Sequence, residues 1–479
     1  MSEKKPFYIT TTIPYVNAEP HIGFALELVQ SDAVARYKRL IGKDVFFSTG
    51  TDEHGQKIWE ASQKENKDVQ DYVDFYSQKF LDLKDLLNLS HDNFIRTTSS
   101  LHTKAAQEFW HLCDKKGDIY KKKYKGLYCI GCEKFLTEKD LVDGKCPIHP
   151  NLKPEIVEEE NYFFRLSNYR EQLLKYLESE KSIIPEWRRA EAIDFVQNAM
   201  EDFSISRDKG RFFWGIPIPG DDTQVMYVWF DALVNYISSL GWPDSKEKFD
   251  KFWLKGEKIQ TAGKDMVKFQ SVMWQGMLMS AGLPTTDTII YHGFITGEGG
   301  IKMSKSLGNV INPSEIVKEY GTDALRYFLL REISPFEDSP FTMERFKDAY
   351  NANLANGLGN LVSRILTLSE KYLDKCPEIP EHSIPQEFKD YLDKFEINKA
   401  VNFTWNEIAE LDKFIQATEP FKVIKTDEKK GKELISDMAL RLYTIARMLN
   451  PIMPETSVLL KKLIKENKKP EKPLFLRKN

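Results

Sequence analysis

The chain has 479 residues, which suggests about three domains whose cores need no disulfide bonds. Hydrophobic residues make up 41% and charged residues 29%, a mixture that argues against wholesale disorder. The net charge of −4 excludes a generally basic coat for nucleic acid, although it allows a local basic face. The five cysteines exclude a disulfide framework and fit a reducing compartment.

Membrane and export signals are not found in this sequence. The longest uncharged stretch, residues 269–286, is interrupted by Gln, Ser, Gly, Pro and Thr, so it does not resemble a membrane span. Residues 1–5 carry no signal-peptide pattern. These features predict a cytoplasmic protein with no membrane partner.

The N-terminal region alternates between strand and helix patterns. Phe7–Ile13 is rich in aromatic and β-branched residues, which predicts a β-strand, and Pro14 ends it. A helix is expected from about His21 to Leu40, and Asp44–Thr49 predicts a second strand. This alternation predicts an α/β fold with a doubly wound, Rossmann-type parallel sheet.

Later segments follow other patterns. From about Lys121 to Pro154, Gly, Cys and Pro are dense, which predicts an inserted module. Strand and helix patterns return near Val225–Leu240 and continue to about Arg331, and the chain is predicted to be helical from Glu344 onward. The predicted domain segments are therefore 1–117, 118–223, 224–343 and 344–479.

A short motif at the predicted start of the first helix suggests phosphate binding. It reads His21-Ile22-Gly23-Phe24. Backbone N–H groups at a helix N-terminus attract phosphate, Gly23 permits close approach, and His21 can donate a hydrogen bond. A helix cap or an ordinary surface position is the alternative for His21.

A glycine-rich segment followed by two lysines suggests a second phosphate contact. Gly297–Gly300 precedes Lys302-Met303-Ser304-Lys305-Ser306. A mobile loop that brings two ammonium groups to a polyphosphate would stabilise charge that develops in phosphoryl chemistry. The alternative is an exposed basic loop.

Four residues in two close pairs predict a structural zinc site. Cys129 and Cys132 form the first pair, 13 residues follow, and Cys146 and His149 form the second. Such a set suits tetrahedral Zn²⁺ and leaves no open coordination position. Reduced, buried cysteines are the alternative.

An acidic motif follows the second predicted strand. Gly50–Gly55 places Asp52 at the carboxyl end of a parallel strand, where open α/β sheets bind ligands. A carboxylate in that position can hold an α-ammonium group, and a helix cap is the alternative.

These strings together resemble the methionyl-tRNA synthetase family of class I aminoacyl-tRNA synthetases. His21–Phe24 is similar to the HIGH motif, and Lys302–Ser306 matches the KMSKS signature. The methionine assignment depends on further strings, which are Ile13–Asn17, Gly50–Gly55, Tyr227–Ala232 and Tyr291–Phe294. The predicted zinc ligands match the single-knuckle form of the connecting insertion.

The resemblance implies activation of L-methionine with Mg-ATP and transfer to the 3′ end of initiator or elongator methionine tRNA. It implies that His21, Lys302 and Lys305 are catalytic and that they bind ATP together with Gly23 and Ser304. The implied methionine-binding residues are Ile13, Tyr15, Asp52, Trp229, Ala232, Leu233, Tyr236 and His292. Core packing is the alternative for the aromatic members of this set.

The helical region resembles the family's anticodon-binding bundle. Asn360 and Arg364 would lie on one helix face and read base edges, and Phe421 of Pro420-Phe421 would stack on an anticodon base. The resemblance makes 1–117 and 224–343 catalytic and 118–223 the connecting insertion. The sequence stops at Asn479 before the oligonucleotide-binding extension of some dimeric relatives, so a monomer is expected.

Three positions depart from the usual family pattern, and two other functions stay open. Phe24 replaces a hydrogen-bonding residue, Leu233 a proline, and Gln270 a histidine. A class I synthetase for Val, Ile, Leu or Cys is one alternative, although Lys121–Thr223 is shorter than the usual editing insertion. The other is a catalytically silent RNA-binding relative, which only Phe24 supports.

Overall fold

The computed structural model describes residues 5–478 except 131–133, 137, 148–150, 211, 302, 304–310 and 380–383. Two compact units make up the chain. The first contains Met1–Pro20, Lys43–Asp82 and His91–Tyr291, and the second contains His21–Gly42, Leu83–Ser90 and His292–Asn479. None of the described helices is long and apolar enough to cross a lipid bilayer.

The strands of the described residues belong mostly to the first unit. They are β1 (Phe7–Thr10), β2 (Val45–Thr51), β3 (Asn93–Arg96), β4 (Ile119–Cys129), β5 (Lys134–Leu136), β6 (Glu155–Phe164), β7 (Ile183–Ile184), β8 (Phe203–Ser204), β9 (Ser206–Asp208), β10 (Pro217–Ile218), β11 (Asp221–Met226), β12 (Glu257–Gly263), β13 (Thr288–His292), β14 (Ile295–Thr296) and β15 (Ser339–Pro340).

The helices of the described residues range from single turns to the 22 residues of Ile397–Thr418. They are α1 (Ile22–Leu40), α2 (Gln56–Lys64), α3 (Val69–Leu81), α4 (Leu83–Leu86), α5 (Ser100–Lys115), α6 (Arg170–Leu177), α7 (Glu186–Asn198), α8 (Val228–Leu233), α9 (Asn235–Ser238), α10 (Lys246–Lys248), α11 (Trp274–Ser280), α12 (Pro313–Tyr320), α13 (Thr322–Arg331), α14 (Met343–Ala349), α15 (Asn360–Tyr372), α16 (Gln386–Asp393), α17 (Ile397–Thr418), α18 (Pro420–Thr426), α19 (Glu428–Met448) and α20 (Pro454–Glu466). Wider, π-helical turns occur at Phe249–Leu254, Lys268–Met273 and Tyr350–Gly359.

The first unit is built on a six-stranded sheet with the order β3-β2-β1-β12-β13-β7. Strand β1 pairs in parallel with β2 on one side and β12 on the other. The strand order therefore reverses beside β1, and open α/β sheets bind ligands at the carboxyl ends of strands at such a point. Every residue of β1, β2 and β13 is buried, as expected for a parallel sheet that is covered on both faces. The predicted α/β fold is confirmed.

A second sheet of the first unit is antiparallel. Its strands β4, β5 and β6 lie in and around the segment of about residues 121–154 that the sequence predicts to be an inserted module. Its order is β5-β4-β6-β8. The long pairing of β4 with β6 runs from Ile119 opposite Phe164 to Tyr128 opposite Glu155. The end of β4 places Cys129 at the turn toward β5.

The second unit is mostly helical, and the buried Arg326 of α13 joins several of its segments. Arg326 Nη2 lies 2.7 Å from Asp32 Oδ2 of α1. Its guanidinium also donates to the carbonyl oxygens of Leu87, Pro451 and Ile452 at 3.0–3.1 Å. The first helix, α13 and the turn between α19 and α20 therefore share one buried cation.

The Asp32 carboxylate is ionised inside this network. Burial opposes its ionisation, but Arg326, Arg36 and Ser90 outweigh burial and hold the pKa of Asp32 below its ordinary value. Asp32 Oδ1 accepts from both the N–H and the hydroxyl of Ser90 at 2.6 Å. Removing one partner of such a buried charged group strongly destabilises the folded protein, because it leaves an uncompensated buried charge.

We expect Arg326→Met to lower the free energy of unfolding by about 3–5 kcal/mol, because Asp32 loses the main cation beside its buried carboxylate. Urea unfolding followed by circular dichroism measures this change. The matched control is Lys67→Met, which removes a solvent-exposed ion pair with Glu65 and should change stability little. Equal losses in the two variants would contradict the role given to Arg326.

Candidate functional site

Asp52 lies at the carboxyl edge of the parallel sheet, directly after β2, and is buried. Its N–H donates to the carbonyl of Pro14 at 2.9 Å, and its carbonyl accepts from the N–H of Val16 at 3.3 Å. These bonds make a parallel bridge between Tyr15 and Asp52. The structure therefore brings the segment that contains Ile13 and Tyr15 beside the acidic motif, near the reversal of strand order.

Aromatic rings stand next to this bridge. The rings of Tyr15 and Trp229 meet edge to face with centroids 6.2 Å apart, and Trp229 stacks on Phe269 at 3.9 Å. Tyr15 and Trp229 are both partly exposed, and Phe269 covers one face of the Trp229 ring. Sequence reasoning missed Phe269, although it precedes Gln270, which was noted as a departure.

Three other predicted methionine-binding residues of the first unit are more buried than Tyr15 and Trp229. Ala232 and Leu233 of α8 are buried, and so is Tyr236 of α9. Leu233 and Tyr236 both belong to a large hydrophobic core cluster, which for the aromatic Tyr236 is what the core-packing alternative expects. Tyr236 also has polar contacts, because its hydroxyl accepts from Gln270 Nε2 and its carbonyl accepts from Tyr8 at 2.8 Å.

Glu53 and His54, the two residues after Asp52, each pair with a charged residue distant in sequence, and neither pair was predicted. Glu53 accepts from Arg96 Nε at 2.7 Å and from Arg96 Nη2 at 2.9 Å. His54 Nδ1 lies 3.1 Å from Asp231 Oδ2. Because Asp231 is part of α8, this pair connects the acidic motif with the helix that carries Trp229.

In the second unit, His21 caps the N-terminus of α1. Its Nδ1 accepts from the N–H of Gly23 at 3.0 Å, so Nε2 carries the ring proton of the neutral imidazole. A Cβ on Gly23 would lie 2.8 Å from His21 Cε1, which explains the glycine. The Phe24 ring lies 4.5 Å from the His21 ring, where it packs as an apolar neighbour.

The lysine loop lies mostly outside the described residues, because Lys302, Ser304 and Lys305 are not among them. The chain that follows it is placed, since the carbonyl of Ile311 accepts from the N–H of Ile22 at 3.1 Å. This bond ties the segment after the loop to the first residue of α1.

His292 ends β13 and bonds within the second unit. Its Nδ1 donates to the carbonyl of Gly293 at 2.7 Å, and its Nε2 lies 2.8 Å from Glu27 Oε2 of α1. Both residues are buried. Sequence reasoning missed Glu27, whose position inside a helix gives no sign of a distant partner.

Half of the predicted zinc site can be described. Cys129 and Cys146 are both buried and pack with Leu136 in one small cluster, whereas Cys132 and His149 lie outside the described residues. Among the described residues, no three His, Cys, Asp or Glu side chains are grouped to hold a metal ion. Cys129 and Cys146, one from each predicted ligand pair, are therefore members of the same cluster.

An open groove of about 930 Å³ in the helical region contains three of the four predicted anticodon residues, Asn360, Arg364 and Phe421. Phe421 is 41% exposed, whereas Pro420 is buried at the start of α18 and is not part of the groove lining. Arg364 Nη1 donates to Asp412 Oδ1. Polar amides and one ring that sequence reasoning missed also line it: Asn353, Asn356, Asn406 and Trp405.

Comparison with known proteins identifies the family. The profile described as tRNA synthetases class I (M) matches residues 7–152 and 148–366. The methionine–tRNA ligase of Caldanaerobacter subterraneus subsp. tengcongensis is 43% identical over 470 residues, which cover 95% of this chain and 73% of that protein. The Thermotoga maritima methionine–tRNA ligase is 40% identical over 487 residues, which cover 97% of this chain and 76% of that protein.

A solved structure agrees with the sequence match. Mycobacterium tuberculosis methionyl-tRNA synthetase in complex with methionyl-adenylate superposes with a TM-score of 0.90 and 33% identity, over 99% of this chain and 100% of that one. The chain belongs to the methionine-type class I tRNA synthetases.

Proposed function

We propose that this chain is a methionine–tRNA ligase that activates L-methionine with ATP and transfers it to the 3′ end of methionine tRNA. The observation that carries the proposal is the burial of Asp52 at the carboxyl edge of the sheet, where a backbone bridge joins it to Tyr15, whose ring meets that of Trp229. A family relationship to methionine–tRNA ligases supports the same substrate.

Methionine recognition follows from charge and polarisability. Asp52 pairs with the α-ammonium group, and the partly exposed rings of Tyr15 and Trp229 contact the thioether, which interacts favourably with aromatic rings. Ile13, Ala232, Leu233, Tyr236 and His292 complete the proposed methionine-binding set. Such a pocket rejects Leu or Ile through shape, which provides about 1–3 kcal/mol per methylene.

Catalysis is proposed to depend on alignment and charge stabilisation. The methionine carboxylate attacks the α-phosphorus of ATP, the bond from that phosphorus to the bridging oxygen breaks, and pyrophosphate leaves. His21 Nε2–H and the α1 N-terminus bind phosphate oxygens together with Gly23 and Ser304, while Lys302 and Lys305 stabilise the developing charge. Mg²⁺ arrives with ATP and neutralises phosphate charge.

The second step transfers the amino acid. The terminal adenosine hydroxyl of the tRNA attacks the carbonyl carbon of methionyl-adenylate, and AMP leaves. We assign tRNA selection to the groove that contains Asn360 and Arg364, with Phe421 as a stacking ring and Pro420 fixing its helix. The proposed division of labour is catalysis in 1–117 and 224–343, acceptor guidance in 118–223, and anticodon binding in 344–479.

We assign a structural Zn²⁺ to Cys129, Cys132, Cys146 and His149. The support is chemical: two buried thiols pack together at the turns of the antiparallel sheet, and thiolates are the ligands that structural zinc prefers. A closed four-ligand site would hold the turns of the insertion in place. We also propose a cytoplasmic location, because the low cysteine content suits a reducing compartment.

Methionine-dependent exchange of pyrophosphate into ATP tests the proposed activity. We expect exchange with Met and no comparable exchange with Val, Ile, Leu or Cys. Asp52→Asn should lower kcat/KM for methionine by about 100-fold, since it removes the buried partner of the ammonium group. The control Asp68→Asn changes only the exposed N-cap of α3 and should leave exchange unchanged. Unaltered kinetics in Asp52→Asn would overturn its assignment.

Metal analysis of the purified protein tests the zinc assignment. We expect one zinc per chain, and we expect Cys146→Ser to lose it, because one of four ligands is removed. Cys376→Ser is the control, since this cysteine lies far along the chain in the link after α15. Full zinc content in Cys146→Ser would contradict the assignment.

Aminoacylation kinetics test the anticodon groove. We expect Phe421→Ala to raise KM for tRNA by a factor that corresponds to about 1–3 kcal/mol of lost stacking, with pyrophosphate exchange unchanged. Phe421→Trp should lower this KM, because the larger ring covers more of a base. Phe75→Ala removes a similarly exposed ring of the first unit and serves as the control. An unchanged KM in Phe421→Ala would exclude stacking at this position.

A further inference from the structure

The two residues that follow Asp52, Glu53 and His54, are both held by bonds to residues distant in sequence. Glu53 is fully buried and paired with Arg96. Its N–H donates to Thr97 Oγ1 at 2.9 Å, and its carbonyl accepts from Trp214 Nε1 at 2.6 Å. Both its backbone and its side chain are therefore fixed, which leaves the Asp52 backbone little freedom on this side.

The His54 anchor reaches a different element. His54 Nδ1 lies 3.1 Å from Asp231 Oδ2, and the carboxylate can only accept, so Nδ1 carries a proton. The other Asp231 oxygen faces His102 Nε2 at 3.9 Å, and His102 Nδ1 lies 2.9 Å from Ser238 Oγ. This series of side-chain contacts, the His54 network, thus connects the acidic motif through α8 with α5 and α9.

Asp231 is ionised between His54 and His102. Burial raises its pKa, but the neighbouring His54 and His102 have the larger combined effect and lower the pKa of Asp231. A buried carboxylate paired with basic side chains often contributes little net stability compared with well-packed apolar residues. Geometry is therefore a better explanation for its presence than stability alone.

We infer that Asp231, acting through His54, is a positioning residue that holds the ammonium-binding carboxylate of Asp52 at a fixed separation from the aromatic ring of Trp229. Asp231 lies two residues after Trp229 on α8, and His54 lies two residues after Asp52. The inference rests on the proposed function, in which Asp52 binds the α-ammonium group. Misplacement of a binding group by about 1 Å can cost roughly 100-fold in rate.

This role predicts a loss that depends on the ammonium group of the ligand. The test compares binding of L-methionine with binding of 4-(methylsulfanyl)butanoate, which lacks only that group. Both dissociation constants are obtained by equilibrium dialysis with the full chain. In His54→Ala we expect methionine to bind roughly tenfold more weakly or worse, while the constant of the analogue stays within about twofold because it makes no use of Asp52.

Two further variants keep the test informative. His54→Asn should restore methionine binding, because the amide nitrogen can occupy the place of Nδ1 and donate to Asp231. Asp231→Asn removes the charge with little change in shape, and we expect the same selective loss of methionine. The matched control is His91→Ala, which removes a buried histidine packed on Phe47 and should affect both ligands alike.

Each outcome has one meaning. Equal weakening of both ligands in His54→Ala and Asp231→Asn would show general damage to the pocket and overturn the positioning role, and so would unchanged methionine binding in both. Wild-type protein without methionine-dependent pyrophosphate exchange would instead contradict the proposed function. Wild-type exchange with unselective losses would contradict only this inference.

Discussion

The structure depends on keeping one carboxylate, that of Asp52, buried at the open edge of a parallel sheet. Burying a charge costs several kcal/mol unless partners compensate for it. The protein places this charge where β1 and β2 end and fixes its backbone through Pro14 and Val16. It then anchors the next two residues, Glu53 through an ion pair with Arg96 and His54 through a hydrogen bond with Asp231. A carboxylate held in this way has its position fixed before the proposed ammonium ligand binds.

In the second unit, a buried charged network likewise holds helix α1 in place. The N-terminus of this helix presents backbone N–H groups and His21, which suit phosphate. Ten residues further on, Asp32 is held by the buried guanidinium of Arg326, which also bonds the turn between α19 and α20. The proposed phosphate-binding helix and the C-terminal bundle thus share a rigid connection. The groove with Asn360 and Phe421 belongs to that same bundle.

Local sequence patterns predicted the parts of the fold that depend on neighbouring residues. The helix from His21 to Leu40 is confirmed almost to the residue, with His21 as its cap. The first strand ends at Thr10 instead of Ile13, because its pairing with β2 and β12 stops there and residues 11–13 turn toward the bridge with Asp52. The family strings also identified the acidic motif.

The anchors of the site could not be predicted because their partners are distant in sequence. Glu53 and Arg96 are 43 residues apart, and His54 and Asp231 are 177 apart. Each is a single charged residue inside a helix, strand or loop, where a solvent-exposed position is the ordinary expectation. Trp405, which lines the groove with Asn360 and Phe421, was not predicted for a related reason, since an aromatic residue on an amphipathic helix is usually a core residue.

The most direct test of this account is a crystal structure of the protein with a non-hydrolysable methionyl-adenylate analogue. The account predicts that the ligand's ammonium nitrogen lies about 3 Å from a carboxylate oxygen of Asp52, with its thioether in contact with the rings of Tyr15 and Trp229. An ammonium group bound to other acceptors, with the Asp52 carboxylate turned away from the ligand, would contradict it.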